Sequence, residues 1–257
     1  MMFNRIQKFI FADILKNRIV LVYTLLLAVL AWSVFSLEND SNKGVLTLLN
    51  IVLLTTPLVS IIFTAIYLYN SAEFIELLLS QPIRRRKIWT GLFLGLFFSL
   101  ALSFFVGAGI PILLFAEGKI ALILLIMGVL ITGVFVALGF LCTILARDKA
   151  RGIGISILLW LFFSLLFDGL VLFLLFQFGD YPIEKAMIGV TALNPINLAR
   201  IFIILQMDVS AMLGYTGAIF KDFFGTALGA AIGLMLLCLW AAIPFTISLR
   251  LFIRKDL

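Results

Sequence analysis

The stretch IALILLIMGVLITGVFVALGFLCTILA, residues 120–146, decides the fold class, because it has no charged residue over more than a bilayer's width. About 20 consecutive apolar residues are enough for a helix to cross the hydrocarbon core. Further stretches of that length lie at 18–37, 45–69, 88–116, 152–178 and 226–250. We therefore predict an all-α polytopic membrane protein with six transmembrane helices, folded as a single transmembrane domain over 1–257.

The composition supports this fold class. Of the 257 residues, 64% are hydrophobic, and the mean hydropathy is +1.24, whereas a soluble domain is about half apolar. Lipid must then be the solvent, and helices satisfy their backbone hydrogen bonds within each segment. The apolar runs are long and unbroken rather than short and alternating, which excludes a membrane β-barrel.

Several functional classes are excluded by missing residue types. The chain has no histidine, and its two cysteines, Cys142 and Cys238, both lie inside apolar runs. A disulfide, a metal site or a histidine general base is therefore not expected, and neither is a cofactor. Gly118-Lys119 is followed by Ile120, so the phosphate-binding Gly-Lys-Ser/Thr loop is absent. We expect no enzyme, and any ATP hydrolysis must come from a separate subunit.

The basic residues define the topology. Fourteen of the nineteen lie in one alternate set of loops: Arg5, Lys8, Lys16, Arg18, Arg84, Arg85, Arg86, Lys87, Arg147, Lys149, Arg151, Arg250, Arg254 and Lys255. The other five are Lys43, Lys119, Lys185, Arg200 and Lys221. The positive-inside rule places the first set in the cytoplasm. Both termini are then cytoplasmic, in agreement with an even number of spans.

The extramembrane segments have distinct patterns. Residues 1–17 carry apolar side chains at helical spacing, which predicts an amphipathic helix on the membrane surface. The first apolar run follows this segment without a cleavage site, so we expect it to be a retained span. The largest outer segment is 179–225. Within it, Asn194 is a predicted helix cap with Pro195 in the first turn, and Arg200 should face water or a partner.

The segment at 70–87 is predicted to be a cytoplasmic loop with a short helix. It contains EFIELLLSQP, residues 73–82, followed by a run of four basic residues. Glu73 and Glu76 near the start suit the helix dipole, and Pro82 ends the helix. Such a helix could transmit motion from a soluble partner. It could equally be a surface loop whose basic cluster only sets the topology.

Polar residues inside two spans are candidates for a translocation path. Asp168 lies deep in the fifth span, where a carboxylate costs about 2.5–3.5 kcal/mol on insertion scales, and Ser164 lies one turn before it. Asp168 either lines a conduit or is a hydrogen-bonded packing residue. Thr56, Ser60 and Thr64 form a stripe in the second span that either lines a path or hydrogen-bonds carbonyls of its own helix.

This layout resembles the ABC-2 type permease family, whose members have six spans, a surface helix and a carboxylate-plus-proline loop after the second span. The resemblance implies a fold like that of type V ABC exporters. It also implies a coupling helix that docks on an ABC ATPase. The matching positions are Glu73, Glu76, Leu79, Gln81, Pro82 and Arg84.

A narrower resemblance, within that family, is to permeases of transporters that mature the copper site of nitrous oxide reductase. It lies in EFIELLLSQP at 73–82, LFDGL at 166–170, LNPINLAR at 193–200, DVSAMLGYTGAIFKDFFGT at 208–226 and the RKDL tail at 254–257. The segment 208–226 has no Cys or His ligand for copper, which argues against direct metal transport.

The narrower resemblance implies an inner-membrane exporter of a sulfur species. Its implied partners are a second copy of the chain, two ATPase copies, membrane lipid and a periplasmic accessory protein, with no nucleic acid. The accessory protein would contact Asn194, Pro195 and Arg200. Two alternatives stay open: an ABC-2 permease for another cargo, and a membrane scaffold that transports nothing.

Overall fold

The computed structural model describes residues 10–38, 40–146, 148–178, 184–207 and 226–254. Regular structure in these ranges is helical throughout, and six helices are long and apolar enough to cross a membrane. In chain order the spans are Arg18–Leu37, Ser41–Asn70, Arg85–Phe115, Gly118–Leu145, Lys149–Phe178 and Leu228–Arg254. The prediction of an all-α protein with six membrane-spanning helices is thus confirmed.

Each of the third and fifth spans is interrupted by a π-helical turn, at Phe105–Gly109 and Phe162–Leu166. Such turns contain one extra residue and often occur at functional positions. In the first of them, a Cβ on Gly107 would lie 2.7 Å from the Thr24 carbonyl oxygen. Glycine is therefore needed where the third span meets the backbone of the first.

Hydrogen bonds place both ends of the described chain on one side. The Tyr67 hydroxyl donates to Asp13 at 3.2 Å, and the Arg85 guanidinium donates to the Ile253 carbonyl at 3.3 Å. The segment before the first span, the loop after the second and the end of the sixth therefore lie together. The assignment of this side to the cytoplasm is a prediction from the basic residues.

The fourth span is the centre of the bundle, with 72% of its most apolar stretch buried, against 17% for the fifth and sixth spans. Two glycines permit this packing. A Cβ on Gly139 would lie 2.8 Å from Thr64 and 3.0 Å from the Ile61 carbonyl oxygen of the second span, and one on Gly128 would overlap the ring of Phe104. Small residues let membrane helices approach closely.

The segment before the first span packs on protein. Residues 10–15 are helical, and Ile10 and Ile14 are completely buried in an apolar cluster with the third span. A Cβ on Gly95 would lie 2.6 Å from the Ile10 side chain. The predicted membrane-surface stripe is thus corrected for these two isoleucines, whereas residues 1–9 lie outside the described residues.

A helical hairpin follows the fifth span. Its helices are Glu184–Ala192 and Pro195–Gln206. At the turn, the Asn194 amide donates to the Phe163 carbonyl at 2.7 Å, and the Trp240 indole donates to the Ala192 carbonyl at 3.0 Å. Phe163 and Trp240 lie near the middle of their spans. The turn of the hairpin therefore lies about halfway along the length of those two helices.

This position corrects the interpretation of 179–225 as a wholly outer segment. The helix Pro195–Gln206 is too short to cross a bilayer, but it is apolar enough to be buried against neighbouring spans, and Leu198, Ala199 and Ile203 are fully buried. Residues 179–183 and 208–225 lie outside the described residues, as do most of the positions quoted for 208–226.

Candidate functional site

Asp168 lies in the fifth span, two residues beyond its π-helical turn, and meets the hairpin. Its carboxylate accepts a hydrogen bond from the Asn197 amide at 2.7 Å and pairs with the Arg200 guanidinium at 2.9 Å. The side chains of Asp168 and Arg200 are 35% and 31% exposed. Pairing lowers the cost of holding both charges at membrane depth. We call Asp168, Asn197 and Arg200 the polar cluster.

The sequence of the hairpin positions this cluster. Asn194 caps the helix Pro195–Gln206 by accepting from the backbone N–H groups of Ile196 and Asn197, as the sequence predicts. Residues three apart on a helix lie on one face, so Asn194, Asn197 and Arg200 all point towards the fifth span. Sequence reasoning missed Asn197, although this spacing of three was a usable signal.

The polar cluster is incompletely hydrogen-bonded. The Asn197 side-chain oxygen and Arg200 Nε are buried and have no hydrogen-bond partner among the described residues. One buried acceptor and one buried donor are thus available beside the ion pair. Leaving such groups unpaired costs about 1–3 kcal/mol each. The cluster therefore has the capacity to hold one further polar group.

The predicted contact with a periplasmic partner needs correction at two positions. Asn194 is completely buried and Pro195 is buried, because the Asn194 side chain bonds both the hairpin backbone and the fifth span. Neither residue offers a surface to a partner. The role of Arg200 in such a contact stays a prediction, and the structure adds its pairing with Asp168.

Ser164 does not join the polar cluster. It is 8% exposed, and its hydroxyl donates to the Trp160 carbonyl of its own helix at 2.7 Å. The Trp160 indole in turn donates to the Leu54 carbonyl of the second span at 3.1 Å. The bond from Trp160 attaches the first half of the fifth span to the second span. A path-lining role for Ser164 stays a prediction.

The hydroxyl stripe of the second span lies inside the bundle. Thr56, Ser60 and Thr64 are all fully buried. Thr56 accepts from the Tyr23 hydroxyl at 3.2 Å, whereas Ser60 and Thr64 have unpaired hydroxyls in the described part of the chain. The stripe packs towards the first and fourth spans, and its role as a path lining stays a prediction.

The loop after the second span contains the helix Ala72–Leu79, which we call the loop helix. Ile75 and Leu78 are buried, which attaches the loop helix to the bundle. Its outward face carries Glu73, Glu76 and Leu77, the last 65% exposed. Sequence reasoning missed Leu77, which lies four residues after Glu73 and therefore on its face.

The remaining predicted coupling residues lie around the loop helix. Leu79, at its last position, is half-buried, and Gln81, Pro82 and Arg84 beyond it are exposed. Acidic, apolar and basic side chains thus form one accessible surface beside the loop. Arg85 is half-buried and bonds the carbonyl of Ile253 at 3.3 Å.

The family is decided by comparison with known proteins. Residues 73–257 match the family described as "ABC-2 family transporter protein". The chain belongs to the ABC-2 transporter family. This permease is therefore a polytopic membrane subunit of an ABC transporter, a non-enzymatic component that implies an ATPase partner.

Two relatives resemble the permease over nearly their whole length. It is 28% identical to the "Probable ABC transporter permease protein NosY" of Pseudomonas aeruginosa, with 96% of each chain covered. It is 25% identical to the protein of the same name from Stutzerimonas stutzeri, with 95% of each chain covered. The permease is thus NosY-like.

Proposed function

We propose that the permease exports a sulfur species that is used to assemble the copper–sulfur centre of nitrous oxide reductase. The observation that carries this proposal is the similarity to two NosY permeases along nearly the whole chain. The alternatives are another cargo for the same fold, or a scaffold role without transport, and the experiments below separate them.

The histidine and cysteine content gives no support to copper as the cargo. Cysteine, histidine and methionine are the usual ligands for copper in proteins, and the chain has seven methionines but no histidine. Cys142 is buried in the fourth span, whereas Cys238 is exposed on the sixth. Among the described residues, no three His, Cys, Asp or Glu side chains lie close enough to hold a metal ion.

We further propose that the polar cluster faces the cargo. Asp168 and Arg200 are each about one-third exposed in the single chain, at a depth where lipid contact would be costly. A water-filled path or a second copy of the permease would remove that cost. Arg200 Nε, a donor without a partner in the part of the chain that the structure describes, suits an anionic or hydrogen-bonding sulfur species. Ser164 and the second-span hydroxyls remain candidates for the same path.

The loop helix is proposed to dock on the ATPase subunit. An exposed face with two carboxylates and Leu77, anchored from behind by Ile75 and Leu78, suits a groove with apolar and basic walls. By resemblance, two ATPase copies would serve a homodimeric permease in the inner membrane with both termini in the cytoplasm. A periplasmic accessory protein would lie on the opposite side, near Arg200.

The docking role is tested by Glu76→Lys and by Pro82→Leu. We expect both variants to insert in the membrane but to lose the ATPase subunit on purification. Glu117→Lys is the matched control, because Glu117 is an exposed glutamate in the loop between the third and fourth spans, on the opposite side. Retention of the ATPase by both test variants would contradict docking through this helix.

The cargo is tested in inside-out vesicles that contain the permease and its ATPase. We expect ATP-dependent accumulation of ³⁵S from labelled sulfur donors and no accumulation of copper. Asp168→Asn should reduce sulfur accumulation and nitrous oxide reductase maturation at unchanged membrane levels, because it removes the charge that pairs with Arg200. ATP-dependent copper uptake would replace the sulfur proposal, and absence of any uptake with intact maturation would favour the scaffold.

A further inference from the structure

Tyr69, at the end of the second span, joins three helices at the base of the loop helix. Its hydroxyl lies 3.4 Å from the Thr143 carbonyl oxygen and 3.3 Å from that of Ala146. These two carbonyls belong to the last turn and the C-cap of the fourth span. Carbonyls at a helix end lack part of their intrahelical partners. The single phenolic proton of Tyr69 is therefore shared between acceptors at the end of the fourth span.

The ring of Tyr69 also packs against the beginning of the fifth span at Gly152. A Cβ built on Gly152 would overlap the Tyr69 hydroxyl and lie 2.6 Å from two of its ring carbons. Gly152 is buried in the first turn of that span. Any other residue at this position would displace the ring, so Tyr69 and the fifth span cannot shift independently.

A second bond reinforces the same junction. The Lys149 ammonium donates to the Asn70 side-chain oxygen at 2.7 Å. Lys149 is the first residue of the fifth span, and Asn70 is the last residue of the second. The loop helix begins only two residues later, at Ala72. Its base is thus attached to the beginning of the span that carries Asp168.

A cavity that is open on one side lies beside the loop helix. Its volume is about 200 Å³, and it is lined by Tyr69, Ala72, Ile75 and Glu76 together with side chains of the third, fourth and sixth spans. Empty space on this side means that the loop helix can tilt without compressing a packed core. Tyr69 is both part of the cavity wall and part of the junction.

We propose that Tyr69 is a positioning residue that transmits movement of the loop helix to the fifth span, and so to Asp168. The inference rests on the proposed docking of the ATPase at the loop helix. The Tyr69 ring transmits movement to the fifth span through its contact with Gly152. The Tyr69 hydroxyl stays bonded to the end of the fourth span, which does not move. Asp168 lies sixteen residues further along, about 24 Å from Gly152 at helical rise.

The test follows the outer end of the fifth span while the ATPase works. The parent is the full permease with its ATPase in nanodiscs, with Cys142 and Cys238 replaced by alanine and a reporter thiol introduced by Phe176→Cys, since Phe176 is 88% exposed. The reaction rate of this thiol with N-ethylmaleimide is measured with and without ATP and vanadate. We expect trapping to change the rate severalfold in the parent.

Three variants at the junction should weaken that response. Tyr69→Ala and Gly152→Ala should abolish the ATP-dependent change while the ATPase still co-purifies and hydrolyses ATP. Tyr69→Phe should retain part of it, because the ring still packs on Gly152. The double variant that combines Tyr69→Ala with Gly152→Ala should give the same response as Tyr69→Ala alone, since both changes act on one contact. Tyr67→Phe, the matched control on the same span, should respond fully because its hydroxyl bonds Asp13 instead.

The outcomes separate this inference from the function on which it rests. A full response in Tyr69→Ala or in Gly152→Ala would overturn the transmission role. Loss of the ATPase subunit from the Tyr69 variants would also overturn it, by making Tyr69 an assembly residue. A parent that binds ATPase and hydrolyses ATP without any response would overturn transmission and leave docking intact. A parent that fails to bind ATPase through the loop helix would overturn both.

Discussion

The fourth and fifth spans have similar lengths of 28 and 30 residues and are both strongly apolar, yet the structure uses them in opposite ways. The fourth is the buried centre of the bundle, whereas most of the fifth lies on the surface of the single chain. The difference arises from a few residues. Glycines remove side-chain volume from the fourth span, and the fifth is held by hydrogen bonds at separate points.

This contrast shows that hydropathy identifies a span but not its place in the bundle. The contacts of the fourth span are continuous and apolar, so a change there must strain the backbone of a neighbour. The fifth span packs closely on Tyr69 at its beginning. Further along, hydrogen bonds at separate points attach it to its neighbours: Trp160 with Leu54, Phe163 with Asn194, and Asp168 with Arg200. A span held at discrete polar points can shift more easily than one with continuous packing.

The largest effect is expected from Gly139→Leu in the fourth span. The new side chain would press on Thr64 and on the backbone of Ile61, and overpacking of this kind costs about 3 kcal/mol or more when backbone must move. Thermal unfolding of the purified permease in detergent should detect it. Gly154→Leu in the fifth span is the control, because a Cβ there meets no described atom within 4 Å. Equal losses in both variants would refute the contrast.

A smaller loss is expected from Asp168→Leu, which leaves the Arg200 charge unpaired. We expect about 2 kcal/mol, less than for a fully buried pair because both side chains are partly exposed. The double variant Asp168→Leu with Arg200→Leu should recover part of the loss, since it removes both charges. The same unfolding assay measures the four proteins of this cycle. A double variant that loses the sum of the single losses would show that the pair is not coupled.

Asn194→Ala tests the bond between the hairpin and the fifth span. It removes the cap of the helix Pro195–Gln206 and the amide that donates to the Phe163 carbonyl, for a loss of about 1–2 kcal/mol. Asn50→Ala is the control, because the Asn50 amide donates to the Leu46 carbonyl of its own helix and joins no two helices among the described residues. A loss no larger than that of the control would mean that water replaces the Asn194 amide.

The smallest loss is expected from Trp160→Phe. It keeps an aromatic ring but removes the indole bond to the Leu54 carbonyl, which is worth about 0.5–1.5 kcal/mol. Trp32→Phe is the control, since Trp32 lies on the first span and contacts Phe115 only through its ring. If both variants unfold at the same temperature, the first half of the fifth span depends on packing alone.

The parts of the fold that depend on local pattern could be predicted from sequence. Apolar run lengths identify the six spans, Asn194-Pro195 identifies a helix start, and the acidic residues before Pro82 identify the loop helix. Each of these signals lies within one short segment. The outward position of Leu77 also follows from helical spacing, although the sequence analysis did not predict it.

The tertiary contacts between apolar helix faces could not be predicted from the sequence. The side chains of Ile10 and Ile14 can be buried equally well in lipid or against protein, so their helical spacing does not distinguish the two environments. The helix with Arg200 was expected outside because it lies between the fifth and sixth spans, in a segment that the distribution of basic residues places there. This helix instead packs against the spans, where Arg200 pairs with Asp168, a residue more than thirty positions earlier in the chain. No local signal predicts that pairing.

The π-helical turn Phe162–Leu166 determines the direction in which the later side chains of the fifth span point around the helix axis. One inserted residue rotates the following part of a helix by about 100° relative to a regular one. Deleting one residue of this turn would leave the composition and hydropathy of the span almost unchanged, but it would swing Asp168 about a quarter-turn away from Arg200. That single turn therefore sets the direction in which Asp168 points, and Asp168 is the only acidic residue of the span Lys149–Phe178.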